Sequence, residues 1–280
     1  MRVFITGAAG HIGSLVVAEL LAAGHQVAGL ARSDASAAAL VAAGAAVHRG
    51  SLDDPGSLAD GAATADGVIH LAFKHDFADF AGALATDLRA VETMGAALVG
   101  SGKPFVTTAH ANGAASDTAT LALAERGVRA VVVSLAPSVH GPEDLHGFIP
   151  SLISIAREKG FSAYVGDGAN RWPATHELDA ARLYRMAVES APAGSRLDGV
   201  GDEGVPFRQI AESIGRRLNL PVVSIGSDAA AAHFGFLGTI ASLDLPRSSA
   251  QTQQILGWRP VHPGLLADLE AGFYFDRPAV

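Results

Sequence analysis

The sequence predicts an α/β fold, a doubly wound parallel sheet with a small C-terminal cap. Short β-branched runs alternate with longer alanine-rich stretches through the first half of the 280-residue chain. Alternation at this spacing is typical of parallel strands joined by right-handed helical crossovers. After Pro137 the alternation gives way to a segment richer in loops, which indicates a smaller region built onto the sheet.

The individual elements of the first half follow from this alternation. The apolar, β-branched runs predict strands at residues 3–6, 26–31, 46–49, 68–71, 105–108 and 129–135. The alanine-rich stretches predict helices at residues 11–23, 35–43, 55–62, 77–100 and 117–126. Gly24, Gly44 and Gly127 stand where a glycine ends a helix in the left-handed conformation.

The second half has a different organisation. Helices are predicted at residues 148–159 and 177–189, and between them GDGANRWPATH carries few strand signals. A strand and a helix follow at residues 196–200 and 207–218, and a last strand at residues 222–225. We therefore divide the chain into a sheet domain, residues 1–140, and a smaller, partly interleaved region, residues 141–280. The second region returns strands to the sheet and covers its carboxyl edge.

Composition and charge restrict the function classes. The net charge is −8, from 20 Lys+Arg against 28 Asp+Glu, and no basic run is present, so we expect no nucleic acid partner. No apolar run approaches the ~18 residues that a membrane helix needs. The first residues enter a strand pattern directly, so no signal peptide is expected. These features predict a cytoplasmic protein, without a membrane partner, that acts on a small molecule.

Several chemistries lack the residues that they need. Cysteine is absent, which excludes disulfides, a thiolate nucleophile and cysteine-ligated metal sites. The 11 histidines show no H-E-x-x-H or similar spacing, so we expect no metal site. The chain also lacks the G-x-S-x-G motif of many serine hydrolases.

A glycine-rich turn follows the first predicted strand, in VFITGAAGHIG. Gly7 would allow a tight turn, Gly10 would let a pyrophosphate approach the backbone, and Gly13 would let the helix pack closely on the strand. Because the motif opens a helix in a βαβ unit, it predicts a bound dinucleotide. The alternative is a glycine turn that serves only to pack the helix.

The end of the second strand, GLARSD, bears on which dinucleotide is bound. A carboxylate at this position suits the ribose 2′-hydroxyl of NAD, whereas an arginine suits the 2′-phosphate of NADP. Arg32 occupies the strand end, and Ser33 adds a hydroxyl. Asp34 could turn back toward the ribose. We predict that NADP(H) is preferred and that NAD(H) is possible.

With these residues in view, the chain resembles the short-chain dehydrogenase/reductase superfamily, in its extended or atypical NAD-dependent epimerase/dehydratase branch. The resemblance rests on TGAAGHIG, HRGSLDD, VIHLAF, SVHGPED and WPATHELDAARL. It implies a Rossmann-like sheet with an active cleft at the carboxyl ends of the strands. Together with the glycine turn and the end of the second strand, it predicts cofactor contacts at Gly7, Ala9, Gly10, His11, Ile12, Gly13, Arg32, Ser33, Ser51, Leu52, Leu71, Ala72, Phe73, Pro137 and Val139.

The catalytic residues of that family are only partly present. The resemblance implies a hydroxyl at the end of the fifth strand, which Thr108 supplies, and a Tyr-x-x-x-Lys pair at the next helix. The corresponding stretch, TTAHANGAASD, contains neither residue. Gly113 falls near the tyrosine position and Asp117 near the lysine position. No tyrosine elsewhere in the chain has a lysine four residues after it.

Other residues could supply the missing chemistry. His110 lies two residues after Thr108, and because histidine titrates near neutral pH it could act as an acid or base; the alternative is a loop histidine bonded to the backbone. Six further residues are predicted to contact substrate, although an exposed loop or a hydrophobic plug would explain some of them equally well: Lys74, His75, His140, Tyr164, Trp172 and His176.

The sequence is compatible with three functions. The leading one is an NADP(H)-dependent oxidoreductase that acts on a small carbonyl, imine or alcohol with an atypical proton relay. The second is a redox-inactive dinucleotide-binding sensor or scaffold, and the third is a non-redox lyase or isomerase on the same fold. The expected partner is a small-molecule substrate, and a homodimer is possible.

Overall fold

The structure is a computed structural model that describes residues 1–76 and 79–276. Its strands are β1 (Arg2–Thr6), β2 (Gln26–Ala31), β3 (Ala46–Arg49), β4 (Gly67–His70), β5 (Pro104–Thr108), β6 (Arg129–Leu135), β7 (Ser138–His140), β8 (Ser162–Val165), β9 (Arg171–His176), β10 (Ser195–Gly199), β11 (Asp202–Pro206) and β12 (Val222–Ile225). Its α-helices are α1 (His11–Ala22), α2 (Asp34–Ala42), α3 (Pro55–Ala63), α4 (Phe80–Leu98), α5 (Ala114–Ala122), α6 (Phe148–Lys159), α7 (Glu177–Ser190), α8 (Phe207–Leu218), α9 (Ala230–Phe234), α10 (Ala250–Leu256) and α11 (Leu265–Ala271).

The chain divides into two compact units. Among the described residues, the first contains 1–76, 79–134, 180–197 and 251–258, and the second contains 135–179, 198–250 and 259–276. The first break therefore falls six residues before the predicted boundary at residue 140, and a later part of the chain returns to the first unit. No helix in the described ranges is both long and apolar enough to cross a membrane.

A seven-stranded sheet forms the centre of the first unit, in the order β10-β6-β5-β4-β1-β2-β3. The strands from β6 to β3 are parallel to their neighbours. This arrangement confirms the predicted Rossmann-like, doubly wound fold. The strand order reverses between β1 and β4, and ligands of open α/β sheets bind outside the carboxyl ends of the strands at such a reversal.

Element boundaries in the first unit agree closely with the sequence pattern. Gly24, Gly44 and Gly127 have φ of 81°, 84° and 74°, the left-handed conformation expected after a helix. The helix predicted from residue 117 begins earlier, at Ala114, and ends in a 3₁₀ turn, Leu123–Arg126. The helix predicted from Phe77 is described from Phe80, and residues 77–78 lie outside the described ranges.

Apolar side chains hold the sheet and helices of the first unit together. One buried cluster joins Phe4 of β1 and Phe105 of β5 to Leu58 of α3 and Met94 of α4. Each of these four side chains is at most 1% exposed. Burying a large apolar side chain contributes roughly 1.5–3 kcal/mol, so this cluster stabilises the sheet whose strand ends carry the polar residues.

The second unit contains two small sheets, β11-β9-β7 and β12-β8. The prediction of a loop-rich segment at GDGANRWPATH is wrong, because β9 runs through it. Pro173 argues against a central strand, since it cannot donate a ladder hydrogen bond. The structure accommodates it at a shift in register: Trp172 pairs with Val205 and Ala174 with Asp202, so two residues of β11 lie opposite the single Pro173.

Candidate active site

The glycine turn between β1 and α1 is tight, and its three glycines have different reasons to be there. Gly7 has φ of +72°, and a Cβ on it would lie 2.7 Å from the backbone nitrogen of Ala72. A Cβ on Gly13 would lie 2.0 Å from the Gly7 carbonyl oxygen. The fold itself therefore needs glycine at both positions. Gly10 has φ of −82°, and its nearest neighbour would be the Gly7 oxygen at 3.2 Å.

Helix α1 begins at this turn without a side chain that caps it or an acidic residue in its first turn. The first N–H groups of a helix have no partner inside the helix, and the helix dipole is positive at this end. Ala9 and Gly10 are exposed, and His11 and Ile12 are half-buried. The turn therefore fits the pyrophosphate of a dinucleotide.

The end of β2 presents a basic group. Arg32 and Ser33 are exposed, and Arg32 forms no ion pair within the described ranges. Ser33 caps α2, since its Oγ accepts from the Ser36 N–H at 3.2 Å and its own N–H donates to the Ser36 hydroxyl at 3.1 Å. Asp34 pairs with Arg49 across 2.6 Å. In this structure the Asp34 carboxylate thus faces Arg49, and the Arg32 guanidinium is open to solvent.

The loops that follow β3 and β4 contact each other at the carboxyl ends of the strands. The Ser51 hydroxyl accepts from the Asp53 N–H at 3.2 Å, and Leu52 packs against the core of the first unit. Lys74 pairs with Asp53 across 2.5 Å, which places it beside the loop that carries Ser51 and Leu52. His75 is exposed.

A chain of hydrogen bonds runs inward from the end of β4. The Ala72 N–H donates to the Thr6 hydroxyl at 3.2 Å, and that hydroxyl lies 2.5 Å from Nδ1 of His70. Nε2 of His70 lies 3.1 Å from Oδ1 of Asp87. Thr6, His70 and Asp87 are each at most 2% exposed. Half-buried Leu71 joins the same network, because its N–H donates to the Thr6 carbonyl at 3.2 Å.

His110 stands beside this chain. A turn closed by the Gly113 N–H donating to the His110 carbonyl at 2.9 Å holds it, and Asn112 adopts φ of 61° within that turn. The imidazole stacks on Phe73 with the ring centres 4.1 Å apart, and its Nε2 is 3.7 Å from Oδ1 of Asp87. The His110 side chain is 17% exposed. Burial lowers the pKa of His110 to about 4, against the raising effect of Asp87.

Thr108 occupies the end of β5 with both sides of its hydroxyl engaged. It donates to the His70 carbonyl oxygen at 3.0 Å, and the Tyr184 hydroxyl lies 2.8 Å away. Because the Thr108 proton is directed at His70, Tyr184 is the donor of the second bond. Burial raises the pKa of Tyr184, so its phenol stays protonated. The residue that orients Thr108 is therefore a tyrosine from α7, 76 positions along the chain.

We expect Tyr184→Phe to lower the free energy of unfolding by about 1 kcal/mol, the typical contribution of one buried hydrogen bond. Urea denaturation would measure the change. Tyr164→Phe is the matched control, because the Tyr164 phenol forms no hydrogen bond within the described residues, and it should leave the midpoint unchanged. Equal midpoints for Tyr184→Phe and the parent would show that the bond to Thr108 contributes nothing.

The positions of the missing pair have structural roles. Gly113 is buried at the N-terminus of α5. Asp117, in the first turn of α5, pairs with Arg196 across 2.9 Å. Neither residue brings a proton donor to Thr108.

Sequence reasoning missed His70, Asp87 and Tyr184 as site residues. For Asp87 a signal was present: it falls at helical spacing between Ala83 and Val91, both buried on α4, so a carboxylate interrupts an apolar stripe. Nothing local distinguished Tyr184, which lies among buried residues of α7.

The remaining predicted residues lie in the second unit: Pro137, Val139, His140, Tyr164, Trp172 and His176. Pro137 and Val139 are half-buried. Trp172 is fully buried in the core of this unit, and its indole N–H donates to the Ile240 carbonyl at 3.1 Å. The prediction that Trp172 contacts substrate is therefore wrong, and the alternative of a hydrophobic plug applies, because the ring packs inside that core.

Two histidines of the second unit are also engaged in its interior. His140 is fully buried, with Nδ1 2.7 Å from Oδ2 of Asp268. His176 is 6% exposed, lies 3.7 Å from the same oxygen and accepts from the Leu178 N–H at 3.2 Å. This burial contradicts the prediction that His140 contacts substrate with its side chain. Tyr164 is half-buried, with the Arg208 guanidinium 5.4 Å from its ring centre.

Comparison with known proteins extends these observations. The sequence profile of the NAD dependent epimerase/dehydratase family matches residues 3–98, from β1 to the end of α4. The uncharacterized protein C2A9.02 of Schizosaccharomyces pombe is 45% identical over 98% of this chain and 100% of its own length. The uncharacterized protein YLL056C of Saccharomyces cerevisiae is 42% identical over 98% of this chain and 99% of its own.

Solved structures share the fold over nearly the whole chain. DesIV, the dTDP-glucose 4,6-dehydratase of Streptomyces venezuelae, crystallised as a double mutant with NAD and DAU bound, gives a TM-score of 0.76 at 22% identity. The alignment covers 98% of this chain and 96% of DesIV. PA4631, a nucleoside-diphosphate-sugar epimerase of Pseudomonas aeruginosa, gives 0.76 at 19% identity and covers 99% of both chains.

The glycine turn, the strand order and these similarities agree. Residues 3–98 contain the whole of the glycine turn and the ends of β2, β3 and β4. The relatives extend the similarity over the rest of the sequence. The chain belongs to the NAD-dependent epimerase/dehydratase family.

Proposed function

We propose that the protein is an NADP(H)-dependent oxidoreductase that acts on a small carbonyl, imine or alcohol. The observation that carries the proposal is that the glycine turn and the candidate catalytic residues lie at the same edge of the sheet, where the parallel strands end. The glycine turn follows β1, while Thr108 ends β5 and His110 follows it, and only β4 separates these two parallel strands. The glycine turn and a titratable group therefore lie at the same end of the sheet, which supports a bound dinucleotide next to a proton donor or acceptor.

The cofactor preference rests on the end of β2. Arg32 offers an exposed cation at the end of the second strand, where a dinucleotide places its adenosine ribose, and Asp34 is paired with Arg49. Several similar structures, DesIV among them, contain NAD, so the preference for NADP(H) rests on this chain's own residues. The arginine favours the one with a 2′-phosphate, because guanidinium groups bind phosphate oxygens with two parallel hydrogen bonds.

The chain must supply the proton chemistry. A bound NADPH would supply a hydride, which reduces a carbonyl carbon, and the carbonyl oxygen then takes one proton. His110 is the titratable group beside Thr108, and its low pKa makes the protonated ring a strong acid. In the reverse direction, the neutral ring that prevails at pH 7 can accept the proton of an alcohol.

We expect Arg32→Asp to weaken NADPH binding by about 10- to 100-fold, equivalent to the 1.5–3 kcal/mol of a hydrogen bond to a charged group. NADH binding should stay the same or improve, since it has no 2′-phosphate to lose. Isothermal calorimetry with both dinucleotides would measure the two affinities.

Arg126→Asp is the matched control for general electrostatics. It makes the same charge change on the first unit, but Arg126 lies before β6, at the amino end of the strands. It should leave both affinities unchanged. Equal affinity of the parent for NADPH and NADH, or equal losses in the two variants, would contradict the assignment of the 2′-phosphate to Arg32.

Turnover itself is tested by incubating the protein with NADPH and a panel of small carbonyls and imines and following the nicotinamide absorbance. Loss of absorbance with at least one compound supports the oxidoreductase. Tight NADPH binding without turnover of any compound would instead favour the sensor, in which the site binds the dinucleotide and reports its concentration.

A further inference from the structure

We propose that Asp87 is a positioning residue that holds His110 in one tautomer, with its proton on Nε2 and the lone pair of Nδ1 left for the substrate. The inference rests on the proposed function, because it assigns a role within the same site. In this proposal, the buried carboxylate of Asp87 and the two histidines, His70 and His110, take the place of the absent Tyr-x-x-x-Lys pair.

The direction of each hydrogen bond in the buried chain supports this role. The Thr6 hydroxyl accepts from the Ala72 N–H, so its own proton is available to Nδ1 of His70. His70 with an acceptor Nδ1 carries its proton on Nε2 and donates it to Asp87. The chain therefore ends at Asp87 as an acceptor, and Asp87 has no proton to give.

Asp87 is ionised despite its burial. Burial alone would raise its pKa, but the hydrogen bond with His70, the proximity of Ser116 and the nearby His70 and His110 rings bring the pKa below the usual range. A buried carboxylate is costly unless charged or polar groups surround it. His70 supplies one N–H, and the Nε2 of His110, 3.7 Å from the same Oδ1, is positioned to supply a second.

His110 differs from His70 in its exposure to solvent. His70 is 1% exposed, whereas the His110 side chain is 17% exposed at the carboxyl edge. The contact of 3.7 Å is longer than a hydrogen bond, and bonds of this kind commonly shorten when substrate binds. Stacking on Phe73 limits the ring to small movements. Asp87 thus lies behind His110 as the orienting carboxylate of a histidine base does.

The other charged groups near His110 do not provide this orientation. His70 on β4 and His75 in the following loop lower the pKa of His110, and Asp117 on α5 raises it less than Asp87 does. Asp117 is already paired with Arg196. Asp87 is the anion nearest to the imidazole N–H.

The test is Asp87→Asn, whose amide oxygen can still accept from His70. The ¹⁵N shifts of the His110 ring nitrogens at pH 7 report the tautomer, with the His110 signals identified by their loss in His110→Ala. We expect the Nε2–H tautomer to dominate in the parent and to lose population in Asp87→Asn. Glu92→Gln, an exposed carboxylate-to-amide change on the same helix, should leave the signals unchanged.

Turnover provides the second measurement. Asp87→Asn should lower kcat by about 10- to 100-fold in the parent background and have little further effect in a His110→Ala background, because residues that act through one another are not additive. The same loss in both backgrounds would overturn the proposal and leave Asp87 a structural residue. If no variant or parent turns over any substrate, the proposed function fails, while an unchanged tautomer in Asp87→Asn would separately overturn the role of Asp87.

Discussion

His110→Ala is expected to lower kcat by about 10²–10⁴-fold, the range that a positioned general acid or base contributes. The reason is positional: Thr108 has its hydroxyl proton directed at the His70 carbonyl, and Gly113 and Asp117 bring no acid. His110 is then the titratable group that is both beside Thr108 and accessible from the edge. Initial rates with saturating NADPH would measure the loss.

The lowered pKa of His110 also predicts the direction in which kcat changes with pH. The pKa of His110 is lowered by burial to about 4, so the acid form is scarce at pH 7 and grows as the pH falls. The reductive kcat of the parent should therefore rise between pH 7 and pH 5, and His110→Ala should not show that rise. The folded pKa lies below 6.5, the ordinary value, so protonation favours unfolding and stability falls over the same range. Rates must be normalised to the folded fraction.

A rival proton donor can be separated from His110. If a tyrosine of the second unit replaced the missing phenol, Tyr164→Phe would abolish turnover and His110→Ala would not. We expect the reverse. Full activity of His110→Ala across pH 5–7 would remove His110 from the mechanism.

Gly10→Val is expected to abolish dinucleotide binding without unfolding the protein. Gly10 has an extended backbone that any residue adopts, and a Cβ there would come no closer than 3.2 Å to the Gly7 oxygen. The branched side chain would instead occupy the exposed space above the N-terminus of α1, where a pyrophosphate must approach the backbone. Calorimetric titration with NADPH and a thermal melt would measure the two effects.

Gly13→Ala is the contrasting control. Its Cβ would lie 2.0 Å from the Gly7 carbonyl oxygen, so we expect this variant to lose stability along with binding. Retained NADPH affinity in a well-folded Gly10→Val protein would mean that the turn serves only to pack the helix. A Gly10→Val protein that melted far below the parent would contradict the structural argument.

The sequence alone predicted the strands and helices of the first unit and its glycine turn, whereas the order of the strands came from the structure. Strand and helix signals at residues 26–31 and 11–23 are local, because they depend on neighbouring apolar residues and on glycines with positive φ. The absence of the Tyr-x-x-x-Lys pair was also evident from the sequence, because the pair is defined by a fixed distance along the chain. Gly7, Gly10 and Gly13 were grouped for the same reason.

Only the tertiary structure decided what surrounds Thr108 and His110. Thr6 meets His70 across 64 positions, and Thr108 meets Tyr184 across 76, and no local pattern reports contacts of that length. β9 forms despite Pro173 because a register shift in β11 removes the need for its N–H. Trp172 suited a substrate contact and a hydrophobic plug equally well in the sequence, and its burial among distant side chains shows that it belongs to the core. Local propensity sets each element, whereas packing determines which side chains share an environment, and the pKa of His110 follows from that packing.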